Sequence, residues 1–158
     1  MLGREHASGH PALTDSDTGL ANLLHFELVF SYMFQAADRG APLTVMLVST
    51  PVTDPHLLRS LGETVGTTTR SADLVAHLGS GRFLVILLGT DLEGAQVAAA
   101  RVRAALQEVA AGPVAIGIAD YREYMKEPPD LLEAVDSAIR KAEEAGGGVE
   151  LAMAKPSE

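Results

Sequence analysis

The chain contains no cysteine and no tryptophan. Without thiols it can form no disulfide, no thiolate nucleophile and no cysteine-held zinc site, so several scaffold and enzyme classes are excluded together. Aromatic residues make up only 4% of the sequence, which leaves little surface on which single-stranded bases could stack. Cations are scarce too. Twelve Lys and Arg against 21 Asp and Glu give a formal net charge of -9, which opposes wrapping along a phosphate backbone. No nucleic-acid partner is therefore expected, and any nucleotide partner must be small. The apolar runs at residues 43–48 and 83–88 are far shorter than the roughly 20 residues a membrane helix needs. The start also lacks a basic-then-apolar signal pattern. The expectation is a cytoplasmic protein without a membrane segment.

What is present suits one folded domain. At 158 residues with 47% hydrophobic content, the chain is long enough to bury a stable core and too short for a second one. Residues 1–14 are rich in Gly, His, Ser and Pro with no apolar period, and read as a flexible leader or the remnant of a linker. The domain then occupies residues 15–155. Leu23, Leu24, Phe26, Leu28, Val29, Phe30, Met33, Phe34 and Ala37 recur at helical spacing over residues 22–38, before Gly40 and Pro42. Residues 43–48 are apolar on both faces and predict a central strand. Asp54-Pro55 caps a second helix running to about Val65. Residues 74–78 and 82–88, joined by Gly79-Ser80-Gly81, form a hairpin signal. Thr90 or Asp91 caps an alanine-rich helix over 93–110, residues 114–119 form a strand, Asp130 caps a helix to about Ala145, and 149–153 form a last strand. The order α-β-α-β-β-α-β-α-β predicts a mixed sheet covered by helices.

Three segments carry a family resemblance. Asp15-Ser16-Asp17-Thr18-Gly19-Leu20-Ala21-Asn22-Leu23-Leu24-His25-Phe26 is similar to an opening motif D-x-L-T-G-L-x-N-R-x-x-F, matching at six positions, with Asp17 and Leu23 departing from it. Arg70-Ser71-Ala72-Asp73 leads into Gly79-Ser80-Gly81-Arg82-Phe83, which resembles the signature turn Gly-Gly-Asp/Glu-Glu-Phe with its acidic pair replaced. Gly112-Pro113-Val114-Ala115-Ile116-Gly117-Ile118-Ala119 and Ala134-Val135-Asp136-Ser137-Ala138 resemble the strand and helix that follow. In order and at workable spacing, these segments resemble the GGDEF domains of diguanylate cyclases over nearly the whole chain. The resemblance implies an α/β (α+β) palm-like GGDEF fold, with a central mixed, mostly antiparallel sheet of about five strands covered by helices.

The same resemblance implies that the enzyme's parts are missing. Cyclases hold two divalent ions over the phosphates, because metal charge neutralisation drives phosphoryl transfer. Ser49 and Gly81 stand where the family places its metal carboxylates. The stretch from Ser49 to Asp54 is too short for the family's guanine-contacting F-K-x-x-N-D segment. Glu143 and Gly147 stand where the family has a phosphate-contacting Lys and a following Arg, so an anion would meet a carboxylate. No catalytic residue, metal ion or cofactor is expected.

The family's product-inhibition motif RxxD is retained as Arg70 and Asp73, and an Arg from the helix after the hairpin falls at Arg101. A guanidinium can fork onto a phosphate or a guanine O6/N7 edge, while a carboxylate accepts from guanine N1 and N2. The resemblance thus implies a cyclic di-GMP receptor built on Arg70, Asp73 and Arg101. Arg103 points to another helical face, and Arg39 of a neighbouring chain could contribute. The alternative is a structural module that binds no nucleotide and forms a homodimer or docks to a protein partner. On that reading Arg70 and Asp73 are an ordinary loop. Arg82 reads as a solvent-facing hairpin residue, and Glu143 with Glu144 as a solvated helix end. Ser80 has no nucleophile's partners, and the five histidines are scattered without a metal or acid-base role.

Overall fold

The computed structural model describes residues 11–69, 74–110 and 112–152. A short 3-10 turn, Pro11–Leu13, precedes four helices and five strands: α1 (Leu23–Asp38), β1 (Leu43–Ser49), α2 (Pro55–Thr68), β2 (Leu74–Gly79), β3 (Arg82–Leu88), α3 (Leu92–Gln107), β4 (Ala115–Asp120), α4 (Pro128–Glu144) and β5 (Gly148–Leu151). The strands form one sheet in the order β2-β3-β1-β4-β5. All pairs are antiparallel except β4 with β5. This is the mixed, mostly antiparallel palm-like sheet expected of the fold.

β1 sits at the centre and is buried on both faces until Ser49, because its neighbours are strands on both edges and helices above and below. Alternation along each strand sends side chains to two separate cores. One joins Val45, Leu47, Leu84 and Ile86 to Phe26, Phe30 and Phe34 of α1 and to Leu131, Val135 and Ile139 of α4. The other joins Met46, Val48, Phe83, Val85 and Ile116 to Leu58, Leu61 and Val65 of α2 and to Ala95, Ala99, Val102 and Leu106 of α3. Glycine is required in β4 at the α4 contact: a Cβ on Gly117 would lie 2.5 Å from the Ile139 backbone nitrogen.

Several boundaries differ from the sequence expectation, each for a local reason. α4 begins before Asp130, its N-cap being Glu127. Pro128 and Pro129 open the helix at no cost in hydrogen bonds, since the first turn leaves its N–H groups unpaired anyway. Asp130 serves the same end from inside, its carboxylate accepting from the Glu127 N–H at 3.0 Å and the Lys126 N–H at 2.7 Å. α2 continues past Val65, and the hydroxyls of Thr68 and Thr69 bond back to the Thr64 and Val65 carbonyls. α3 stops at Gln107, whose side-chain oxygen turns away to accept the Val114 N–H at 3.0 Å. At the front of the domain, Leu13 and Ala12 are tied to Asn22, through the Asn22 N–H and side-chain amide respectively.

Candidate functional site

The C-terminal end of β1 and the β2–β3 turn meet at one edge of the sheet. Ser49 pairs across from Arg82 on one side and from Ala115 on the other. The Thr50 N–H and hydroxyl both donate to the Gly81 carbonyl, at 2.9 and 3.1 Å. The turn is unusually wound, with Gly79, Ser80 and Gly81 all at positive φ, Ser80 at 55°. Gly81 has no room for a side chain. A Cβ there would lie 2.6 Å from the Thr50 carbonyl oxygen and 2.7 Å from both the Thr50 hydroxyl and the Val52 carbonyl. Pro51 closes down similarly on Gly112, where a Cβ would come within 2.6 Å of the proline ring. The short Ser49-to-Asp54 connection therefore lies directly on the turn.

Charge at this edge is arranged as an internal pair. Arg82, placed by β3, donates to Glu143 in the last turn of α4 at 2.9 Å, both side chains being partly exposed. Both stay at the surface, as the sequence suggests, and the pairing is a contact that the sequence does not specify. The remaining hollow, lined by Ser49, Thr50, Pro51, Pro113, Ala115, Glu143, Gly146 and Gly147, measures about 230 Å³. Ligand pockets commonly run from about 300 Å³ upward. Glu143 is the charged side chain in its lining, and Ser49 and Thr50 supply hydroxyls.

A second candidate region lies where α2 ends beside α3. Arg101, exposed on α3, lines a groove of about 270 Å³ with Thr68, Leu87, Thr90, Gly94, Val97 and Ala98. Arg70 and Asp73 lie outside the described residues; the chain leaves them at Thr69, one residue beyond the groove wall, and returns at Leu74. Arg103, by contrast, is committed to structure: its Nε donates to the Val114 carbonyl at 3.0 Å. Arg39 caps α1 and lines a hollow with Phe34, Gln35, Asp38 and Lys126 on another part of the surface.

One feature escaped the sequence reading. His77 on β2 is buried, 2% exposed, and its ring lies 5.0 Å from that of Phe83. Its Nδ1 lies 2.9 Å from Asp15 Oδ2, joining the opening loop to the strand that leads into the signature turn. Burial alone would raise the Asp15 pKa, but hydrogen bonds from the Thr18 hydroxyl, from His77 and from the Thr18 N–H outweigh it and hold the carboxyl below its ordinary value. Asp15 is thus the acceptor and His77 Nδ1 carries the proton. His77 Nε2 is buried and without a hydrogen-bond partner among the described residues. Asp17 brings a third possible ligand atom within 4.8 Å of these two. The shared Asp15 oxygen is already occupied by Thr18 and His77, which marks it as a loop cap.

The β2–β3 turn of this palm-like sheet abuts the end of its central strand, where the Thr50 N–H and hydroxyl meet the Gly81 carbonyl. Residues 12–148 match the family described as diguanylate cyclase, GGDEF domain, and the chain belongs to that family, whose members are normally diguanylate cyclases. The fold is similar to the GGDEF domain of DgcB from Caulobacter crescentus, solved in complex with c-di-GMP, at 16% identity and a TM-score of 0.80, covering 89% of this chain and 96% of that one. It is also similar to the GGDEF domain of PA1120 (TpbB or YfiN) from Pseudomonas aeruginosa, at 26% identity and a TM-score of 0.75, covering 89% and 94%. Diguanylate cyclase SiaD of the same organism, solved with its activator SiaC, gives 18% identity and a TM-score of 0.81, covering 96% of this chain and 66% of that one. No curated protein matches the chain. Among the described residues no helix is long and apolar enough to cross a membrane.

Proposed function

We propose that this GGDEF domain makes no cyclic di-GMP and instead binds it as a regulatory receptor, through Arg70, Asp73 and Arg101. The observation that carries the first half is the Gly81 turn. The position from which the family projects a metal carboxylate is pressed against Thr50 and Val52 with no space for a Cβ. Ser49, the other metal position, is neutral, and the Arg82–Glu143 pair puts a carboxylate where the substrate phosphates would need cations. Among the described residues lining the hollow at this edge, Glu143 is the one carboxylate, and it is already paired with Arg82.

The second half is supported by Arg101. It stands exposed beside the end of α2 and, among the described residues, has no ion-pair partner, so its guanidinium is available to a phosphate or a guanine edge. The segment carrying Arg70 and Asp73 departs from the same end of α2. Binding a nucleotide here leaves the closed former active edge untouched, so loss of catalysis and retention of a ligand are compatible. The test has two arms. Incubation with GTP and Mg²⁺ or Mn²⁺ should give no cyclic di-GMP above a protein-free control, and metal-dependent product lost on deleting the domain would refute the inactive half. Thermal-shift titration with cyclic di-GMP should raise the melting temperature of the native chain and not of Arg101→Ala. A response equal in both would remove Arg101 from the site.

The second reading, a structural pseudo-enzyme that binds no nucleotide and acts by association, is favoured by one observation. Large apolar side chains remain exposed along α1.

A further inference from the structure

We draw no further inference here: the strongest candidate, the hollow of about 540 Å³ where the end of α1 meets the start of β1 and the end of β4, is an acidic cluster whose Asp38, Asp91 and Asp120 are already bonded to the Tyr121 hydroxyl, the Gly94 N–H and Arg122, and nothing among the described residues points to a ligand there.

Discussion

Restoring the acidic turn should damage this domain and not revive it. In Gly81→Asp the new Cβ would be placed 2.6 Å from the Thr50 carbonyl oxygen and 2.7 Å from the Val52 carbonyl oxygen, both backbone atoms that cannot rotate aside. The residue also sits at a φ of 73°, left-handed territory that glycine enters freely. A Cβ in that conformation costs about 1–2 kcal/mol, and forcing extra atoms into a packed site costs about 1–3 kcal/mol more. Together these predict a loss of about 2–5 kcal/mol, and at about 2–4 °C per kcal/mol for a domain of this size the melting temperature should fall by about 4–20 °C. Thermal unfolding followed by circular dichroism reads this directly. Ser80→Gly, beside it and also at positive φ, is the control, because removing its Cβ relieves strain in the same turn. A Gly81→Asp melting temperature within about 2 °C of native, or measurable cyclase activity in a Gly81→Asp, Arg82→Glu double variant, would refute the reasoning that the turn is closed.

Two further outcomes follow from the packing and the buried pair. Gly117→Ala should destabilise by about 1–3 kcal/mol in urea denaturation, since its Cβ would meet the Ile139 backbone at 2.5 Å; a neutral substitution would mean that α4 can shift off β4. Asp15 contributes stability as a carboxylate whose folded pKa lies below its ordinary value of 3.8, so its contribution is complete above that pH and is lost as pH falls through the folded value. The stability gap between the native chain and Asp15→Asn should accordingly be full at neutral pH and narrow in acid, and a gap that stays constant down through that range would contradict the pairing with His77.

The sheet was legible because its strands are written as continuous apolar runs. Residues 43–48, apolar at every position but Thr44, lie at the centre of the sheet, and Gly79-Ser80-Gly81, the glycine-bearing break between two apolar runs, is the hairpin turn. Helix ends were less legible, since they depend on which of several capping groups wins: Asp130 reads as a cap and is one, but from inside the first turn of α4. The chemistry around the β2–β3 turn was visible in the sequence only as departures from the family's motif at Ser49, Gly81 and Arg82. Its closure depends on Thr50 and Gly81 meeting across 31 positions, and the Arg82–Glu143 pair on two residues 61 apart. The His77–Asp15 pair spans 62 positions, and nothing in the spacing of five histidines singles one out as buried. Long-range contacts of this kind are set by the sheet order, which pattern alone does not specify.

The central claim is that Arg70, Asp73 and Arg101 together hold cyclic di-GMP on a domain that no longer makes it. Isothermal titration calorimetry of the native chain against cyclic di-GMP, with Arg70→Ala, Asp73→Ala and Arg101→Ala alongside, tests it most directly. Each loss removes a charged hydrogen-bonding partner worth about 1.5–3 kcal/mol, so each variant should bind roughly ten- to hundredfold more weakly than the native chain, while Arg82→Ala binds as the native chain does. Absence of heat from the native chain at high-micromolar ligand, or three variants that bind as tightly as it does, would contradict the account.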